Sequence, residues 1–198
     1  MVSGVVLAAG GSRRLGRPKQ LLPLAGEPVL AHVVRSALAS DLAEVVVVLG
    51  HEADAIAAAV GDRGQRTVVN PDWASGQSAS LRVGLAAIDP AADAVLFLLG
   101  DQPGVGCETI DAVLAAARDD PEARPIAAAE YGGRLGNPVL FRRALFPDLA
   151  ALIGDEGARR LLRADPGRVL RVPVGDGPPP PDIDTEDDYR ALLAAWGS

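Results

Sequence analysis

Val5-Val6-Leu7-Ala8-Ala9-Gly10-Gly11-Ser12-Arg13-Arg14-Leu15-Gly16-Arg17-Pro18-Lys19 opens on an apolar run and passes into a glycine-punctuated loop crowded with cations. Val5 to Leu7 predict a short buried strand. The loop after it offers many backbone N–H groups and four positive side chains, Arg13, Arg14, Arg17 and Lys19, without one acid. Because the whole chain carries a formal net charge of −7, the sign of this patch opposes the global sign and suits a polyanion. The 19 basic residues are 18 arginines and one lysine, and that lysine is Lys19. A guanidinium forks around one carboxylate or phosphate, whereas an ammonium is a compact point charge that fits between several phosphate oxygens. A chain that writes arginine everywhere else points, by keeping lysine here, to chemistry that needs a small cation. The competing reading is a merely solvated turn.

Outward from this stretch, apolar runs recur at 45–49, 67–69, 94–99, 126–129 and 169–172, short and rich in Val, Leu and Ile. They predict buried, largely parallel strands. Between the first two strands, Val29, Leu30, Val33, Val34, Ala37 and Leu38 fall on one helical face, with His32, Arg35 and Ser36 on the other. Leu81, Leu85 and Ile88, and then Ile110, Val113, Leu114 and Ala117, repeat at the same spacing. Alternating strands and helices predict a three-layer α/β/α, Rossmann-like fold with a mostly parallel sheet, in one domain spanning 1–198. In such sheets ligands bind beyond the C-terminal ends of the strands, where the 10–19 loop and Asp101 fall. Pro178 to Pro181 read as an extended spacer before a last helix, which Thr185 and Asp188 cap and whose buried stripe is Tyr189, Leu192, Leu193 and Trp196.

Composition narrows the function. The chain is 48% hydrophobic and 23% charged over 198 residues, ordinary for a globular protein. No apolar stretch approaches the roughly 18 residues that span a bilayer, and glycines interrupt the N-terminal apolar segment where an export signal would continue. One cysteine, Cys107, fits a reducing cytoplasm, and the acidic balance disfavours nucleic acid. No membrane and no nucleic-acid partner is expected.

The loop is neither of the common nucleotide motifs. Gly-x-Gly-x-x-Gly is absent, and although Gly11 to Gly16 has P-loop spacing, Arg17-Pro18 stand where Lys-Ser/Thr would follow. What remains is a different phosphate-wrapping loop for a nucleoside triphosphate. Asp101, after the most apolar strand, is by itself an ordinary turn or capping residue; beside such a loop it suits Mg2+, which takes one or two carboxylates and completes its shell with water and phosphate oxygens. Asp182 or Asp184 could supply a second carboxylate, while Glu186, Asp187 and Asp188 read as first-turn acids at a helix dipole. His32 and His51 read as surface or strand-end residues, and Cys107 opens a helix without a histidine partner.

Leu7-Ala8-Ala9-Gly10-x-Ser12-x-Arg14-Leu15-Gly16-x-Pro18-Lys19-x-Leu21-Leu22-Pro23-Leu24-x-Gly26-x-Pro28 resembles the signature of the nucleotidyltransferases that include the molybdopterin guanylyl- and cytidylyltransferases. Asn70-Pro71-x-Trp73-x-x-Gly76-x-x-x-Ser80-Leu81-Arg82, Gly100-Asp101-Gln102-Pro103, Gly136-Asn137-Pro138-Val139-Leu140-Phe141, Gly154-Asp155-x-Gly157-Ala158-Arg159 and Asp182-Ile183-Asp184-Thr185 are most similar to the cytidylyl branch. Gln102 stands where guanylyl relatives commonly have Met; Leu15 and Glu186 replace the more usual Met and Pro. The resemblance implies that Lys19 and Arg14 bind the triphosphate and that Asp101 and Asp184 hold Mg2+. It further implies a nucleotide site at Leu7, Ala8, Ala9, Gly10, Gly11, Ser12, Arg13, Gly16, Asn70, Gly76 and Ser80, and an acceptor site at Gly136, Asn137 and Pro138.

The reaction so implied is transfer of CMP from CTP to the terminal phosphate of molybdopterin, with release of pyrophosphate. No general base stands out, and none is needed, because a phosphomonoester with a second pKa of about 6 is substantially ionised at neutral pH. The alternatives are a guanylyltransferase, a transferase serving another phosphorylated acceptor, and a non-catalytic chaperone that hands nucleotide-bearing cofactor to a molybdoenzyme.

Overall fold

The computed structural model describes residues 1–155 and 157–196. The described residues form nine strands and seven α-helices: β1 (Val2–Leu7), β2 (Pro23–Leu24), β3 (Glu27–Pro28), α1 (Val29–Leu38), β4 (Glu44–Leu49), α2 (Ala53–Val60), β5 (Arg66–Val69), α3 (Gln77–Ala87), β6 (Ala94–Leu99), α4 (Cys107–Asp119), β7 (Ile126–Tyr131), β8 (Arg134–Arg142), α5 (Phe146–Ala150), α6 (Arg159–Ala164), β9 (Val169–Gly175) and α7 (Glu186–Trp196).

Seven strands form one sheet in the order β5-β4-β1-β6-β8-β7-β9, and β2 pairs with β3 in a separate ribbon. All contacts in the main sheet are parallel except those of β8, which runs antiparallel to both neighbours. Valine-rich β4 and leucine-rich β6 flank β1 and are buried on both faces, as continuous apolar runs in a parallel sheet must be. Leu30, Val33, Val34, Ile56, Ile110 and Val113 cover one face from α1, α2 and α4. Leu81, Leu145, Leu149 and Leu152 pack against the other. This is the three-layer α/β/α arrangement that the alternation of strand and helix patterns predicts.

The predicted strands all fall inside observed ones; pattern reading missed the short β2 and β3 of the ribbon and, in the main sheet, β8. Its Gly136-Asn137-Pro138 reads as a loop because proline lacks the N–H that a ladder needs. The sheet absorbs them in a bulge: pairing of β7 with β8 jumps from Ala128↔Val139 to Ala129↔Gly136, leaving Asn137 and Pro138 out of register.

A third apolar cluster joins Leu22, Leu24 and Val29 to Ile183, Tyr189 and Leu192, so that the last helix folds back onto the β2–β3 ribbon. Asp188 Oδ2 accepts from Thr185 N at 2.7 Å and Thr185 Oγ1 at 2.8 Å, which is the expected cap. Two expectations need correction here. Leu193 and Trp196 are not buried but stay 41% and 38% exposed, because the stripe meets the ribbon only at Tyr189 and Leu192. His32, expected on a polar surface, is buried. Its Nε2 donates to Leu24 O at 2.7 Å, which leaves Nδ1 to accept from Arg35 Nη2 at 2.7 Å, and Trp196 meets the ring edge-on at 5.3 Å. Of the polar face of α1, His32 is thus covered by the β2–β3 ribbon and the returning C-terminal helix, while Arg35 stays exposed. No described helix is long and apolar enough to cross a membrane.

Candidate active site

Strands β1, β4 and β6 end level with one another, Leu7 pairing with Val48 and with Leu99. The connections that leave them share one rim. Ala8 N donates to Val48 O, Gly100 N to Leu7 O and His51 N to Ala9 O, which ties the three loops together. Their close approach needs Gly100, where a Cβ would lie 2.8 Å from that of Ala8. It needs Gly11 too, where a Cβ would lie 2.8 Å from the ring of Trp73.

Lys19 sits at the centre of this rim. Ser12 Oγ accepts from its backbone N at 3.0 Å, drawing the loop closed over the 3₁₀ turn Lys19–Leu21. Its Nζ donates to Asp101 Oδ2 and, at 3.1 Å, to Asp184 Oδ1; the Lys19 and Asp101 side chains are only 16% and 11% exposed. Burial alone would push the Lys19 ammonium down, but the Asp101 and Asp184 carboxylates more than offset it and raise its pKa, so it stays charged at neutral pH. Burial, assisted by the nearby Asp182 carboxylate, pushes the Asp101 carboxyl up against the pull of Lys19.

The C-terminal segment supplies the acids that the loop lacks. Arg14 Nη2 donates to Asp184 Oδ2 at 2.7 Å, and Arg17 grips both oxygens of Glu186 at 3.0 Å and lies over the Tyr189 ring. Three of the four loop cations therefore have carboxylate partners from distant parts of the chain, and Arg13 alone has no ion-pair partner among the described residues. Glu186 is engaged by Arg17 rather than serving only the helix dipole. Asp182 is also taken: Gln102 Nε2 donates to its Oδ1 at 2.7 Å and to Pro180 O at 3.0 Å. Of the two candidate partners for Asp101, Asp184 is the one that shares its cation.

A cavity of about 410 Å³ opens over this cluster. Leu7, Ala8, Ala9, Gly10, Gly11, Arg13, Lys19, Gly76, Ser80 and Asp101 line it, as does Asp184. Arg14, Ser12, Gly16 and Asn70 do not. Arg14 acts on Asp184 and Ser12 on the Lys19 backbone, Gly16 turns the loop in a left-handed conformation, and buried Asn70 donates to Ser80 Oγ at 3.0 Å while its Oδ1 accepts from Asp72 N. Trp73, Asp155 and Arg159, quoted in motifs but given no role, also reach the cavity, and so does Gln20, which the sequence reading did not quote. Gln20 could have been found only from the fold: its buried amide donates to Ala8 O at 2.7 Å and Gly10 O at 3.0 Å and so sets the loop's entry.

A second cavity, of about 590 Å³, adjoins the first along Leu7, Gln77, Leu99, Arg159 and Asp182. Gly136 and Asn137 line it; Pro138 does not, since the bulge turns it away. Asn137 Nδ2 donates to Gln102 Oε1 at 3.0 Å, and Asn137 O accepts from Tyr131 Oη at 2.8 Å. Pro178 to Pro181 form one wall, so the proline run encloses a cavity as well as spacing the last helix.

Residues 4–169 match the MobA-like NTP transferase domain. The chain belongs to that family. It is 37% identical to nicotine blue oxidoreductase of Paenarthrobacter nicotinovorans, across 97% of this chain and 96% of that protein. It is 34% identical, over the same shares, to purine catabolism protein PucB of Bacillus subtilis. Among solved structures, the Rv0371c homologue from Mycobacterium sp. strain JC1 superposes with a TM-score of 0.89 at 39% identity, over 99% of this chain and 96% of that one. Rv0371c of Mycobacterium tuberculosis in complex with manganese gives 0.85 at 36%, over 98% of each. The relatives' names span different chemistries, so what they share with this chain is the NTP transferase frame.

Proposed function

We propose that this NTP transferase moves CMP from CTP to the terminal phosphate of molybdopterin, giving the cytosine dinucleotide and pyrophosphate. The observation that carries the reading is Lys19: one buried ammonium held between Asp101 and Asp184, at the floor of a cavity walled by the β1 loop and beside a second cavity large enough for an acceptor. The cytidylyl choice rests on the motif resemblance, Gln102 included.

The donor set fits a divalent ion. Two carboxylates already converge on one cation, the number that a metal completed by phosphate oxygens and water asks for. Asp101 and Asp184 would hold Mg2+, which, when bound, supplies positive charge to the triphosphate. The manganese complex of the mycobacterial relative supports a divalent metal.

The chain's own groups do the rest. An oxygen of the acceptor phosphate, ionised without help, forms a bond to the α-phosphorus of CTP as the bond from that phosphorus to the bridging oxygen breaks; the electron pair leaves with pyrophosphate. Lys19 and the loop N–H groups stabilise the departing charge, and Arg14 holds Asp184 in place. Pyrophosphate release measured with CTP, GTP, ATP and UTP, each crossed with molybdopterin and its molybdenum-loaded form, tests both substrates. Turnover with CTP and either acceptor is expected. Turnover with GTP instead makes it a guanylyltransferase, and nucleotide binding without pyrophosphate under any pairing leaves the chaperone reading.

A further inference from the structure

The 3₁₀ turn that aims Lys19 at its carboxylates also carries Gln20, which is 1% exposed. Successive residues of such a turn point about 120° apart, so the ammonium meets Asp101 and Asp184 while the amide beside it meets the chain that enters the loop. Gln20 Nε2 spends both hydrogens on main-chain carbonyls, Ala8 O at 2.7 Å and Gly10 O at 3.0 Å. Its Oε1 is buried and has no hydrogen-bond partner among the described residues. Turning the amide over would set that oxygen against two carbonyl oxygens, so the two donors fix its orientation. Leaving a buried oxygen unpaired is a cost, and it is incurred here to hold two peptides in place.

The effect falls on the opposite side of those peptides. In a trans peptide the N–H points away from the C=O, and among the described residues the cis bond is Asn137–Pro138, outside this stretch. With the carbonyls of Ala8 and Gly10 turned to Gln20, the N–H groups of Ala9 and Gly11 point away from it. Neither has a hydrogen-bond partner among the described residues, whereas Ala8 N is held by Val48 O at 2.9 Å. The stretch cannot simply roll over, because Ala9 O accepts from His51 N at 3.2 Å and the Trp73 ring packs on Gly11. Ala9 and Gly11 both line the smaller cavity. We infer that Gln20 is a positioning residue of this loop: its amide presents the Ala9 and Gly11 N–H groups as two fixed donors to a phosphate, from the same turn that places the Lys19 cation. That the phosphate belongs to a nucleotide rests on the transferase reading; that these donors take a phosphate does not.

The probe is inorganic tripolyphosphate with magnesium, added to the full isotope-labelled chain and followed by amide NMR and calorimetry. In the wild type the Ala9 and Gly11 N–H signals are expected to move downfield and gain protection from solvent exchange as the probe saturates, while Ala8, already bonded to Val48, moves little. Gln20→Met, which fills similar space without donors, should weaken binding at least ~10-fold, the scale of one charge-assisted hydrogen bond, and abolish the downfield movement at saturation. Gln20→Asn, one methylene shorter, should keep at most one of the two carbonyl bonds and bind between the two. Gln65→Met removes a glutamine bonded to Gly61 O in the turn after α2; it is the matched control and should bind within about twofold of wild type. Circular dichroism confirms that each variant is folded, and the wild-type titration decides the matter even where Gln20→Met does not fold. A lower melting temperature in folded Gln20→Met, with affinity and amide signals unchanged, would mean a merely structural glutamine and overturns the inference. So does a bound probe that moves the signals of residues 13–19 but not those of Ala9 and Gly11, a result that leaves the transferase reading standing. A wild type that does not bind the probe removes both. Gln20-dependent binding, with no pyrophosphate released from any nucleotide and acceptor, leaves the inference standing and removes the transferase reading.

Discussion

The smaller cavity takes one side from a single stretch of chain between Leu7 and Gln20, closed by Asp101 and Asp184, whereas the larger is assembled from α3, β6, β8, α6 and the proline run, segments far apart in the chain. On the first side, local sequence settles both backbone and charge: a strand ends, glycines allow close approach, and Lys19 is turned inward by Ser12. On the second, side chains meet only because the sheet has formed. The first side is therefore built around a fixed, paired cation, and the second from side chains that only the finished sheet brings together.

Substituting the fixed cation should have the largest effect. Lys19→Arg preserves charge but replaces a point ammonium, touching two carboxylates at once, by a planar fork that cannot occupy the same space. Its kcat should fall by at least ~100-fold, the scale for losing a preorganised transition-state donor. Steady-state pyrophosphate release checks this, and near-wild-type turnover would refute the point-charge account.

A smaller effect, confined to the other cavity, is expected at Gln102. Its side chain joins Pro180 and Asp182 on one side to Asn137 on the other, which makes it a positioning residue for one wall of the larger cavity. Gln102→Leu should raise the acceptor KM about tenfold, on the scale of unpairing one buried polar group, with the KM for CTP within about twofold. Equal rises in both constants would mean that the two cavities are not separable.

Much of the first cavity was legible because its residues are neighbours in sequence. Gly10, Lys19 and Asp101 could be placed from a strand end and a charge pattern alone. The fold class was legible for the same reason, since buried parallel strands announce themselves as apolar runs. What could not be seen was whatever depends on distant segments. β8 hid behind Asn137-Pro138, which a bulge accommodates. His32 looked exposed until α7 covered it. The acids for Arg14 and Arg17 lie some 170 positions away, so the loop looked unpaired. Arg159 belongs to a quoted motif, yet nothing local indicates that it lines both cavities.

The smallest effect concerns how the sheet is held at β8. Asp120, just after α4, accepts from Arg124 through both side chain and backbone, and Arg142 of β8 donates to Arg124 O. The Arg124 guanidinium beside it holds the Asp120 carboxyl down, to about 2. A carboxyl whose pKa is depressed by folding contributes stability above its unfolded value of about 3.9 and loses it as pH falls through the folded value. Asp120→Asn should therefore be less stable than wild type near neutrality, with the gap narrowing between about pH 4 and pH 2. Denaturant melts across that range measure it; a gap independent of pH would mean that the charge is not what matters.

Crystals soaked with CTP and magnesium test the central claim most directly, through the distances from Lys19 Nζ to the phosphate oxygens. The account predicts a phosphate oxygen within hydrogen-bonding reach, roughly 3 Å, with Asp101 and Asp184 turned to the metal. Lys19 still bridging the two carboxylates, with the triphosphate bound elsewhere, would contradict it.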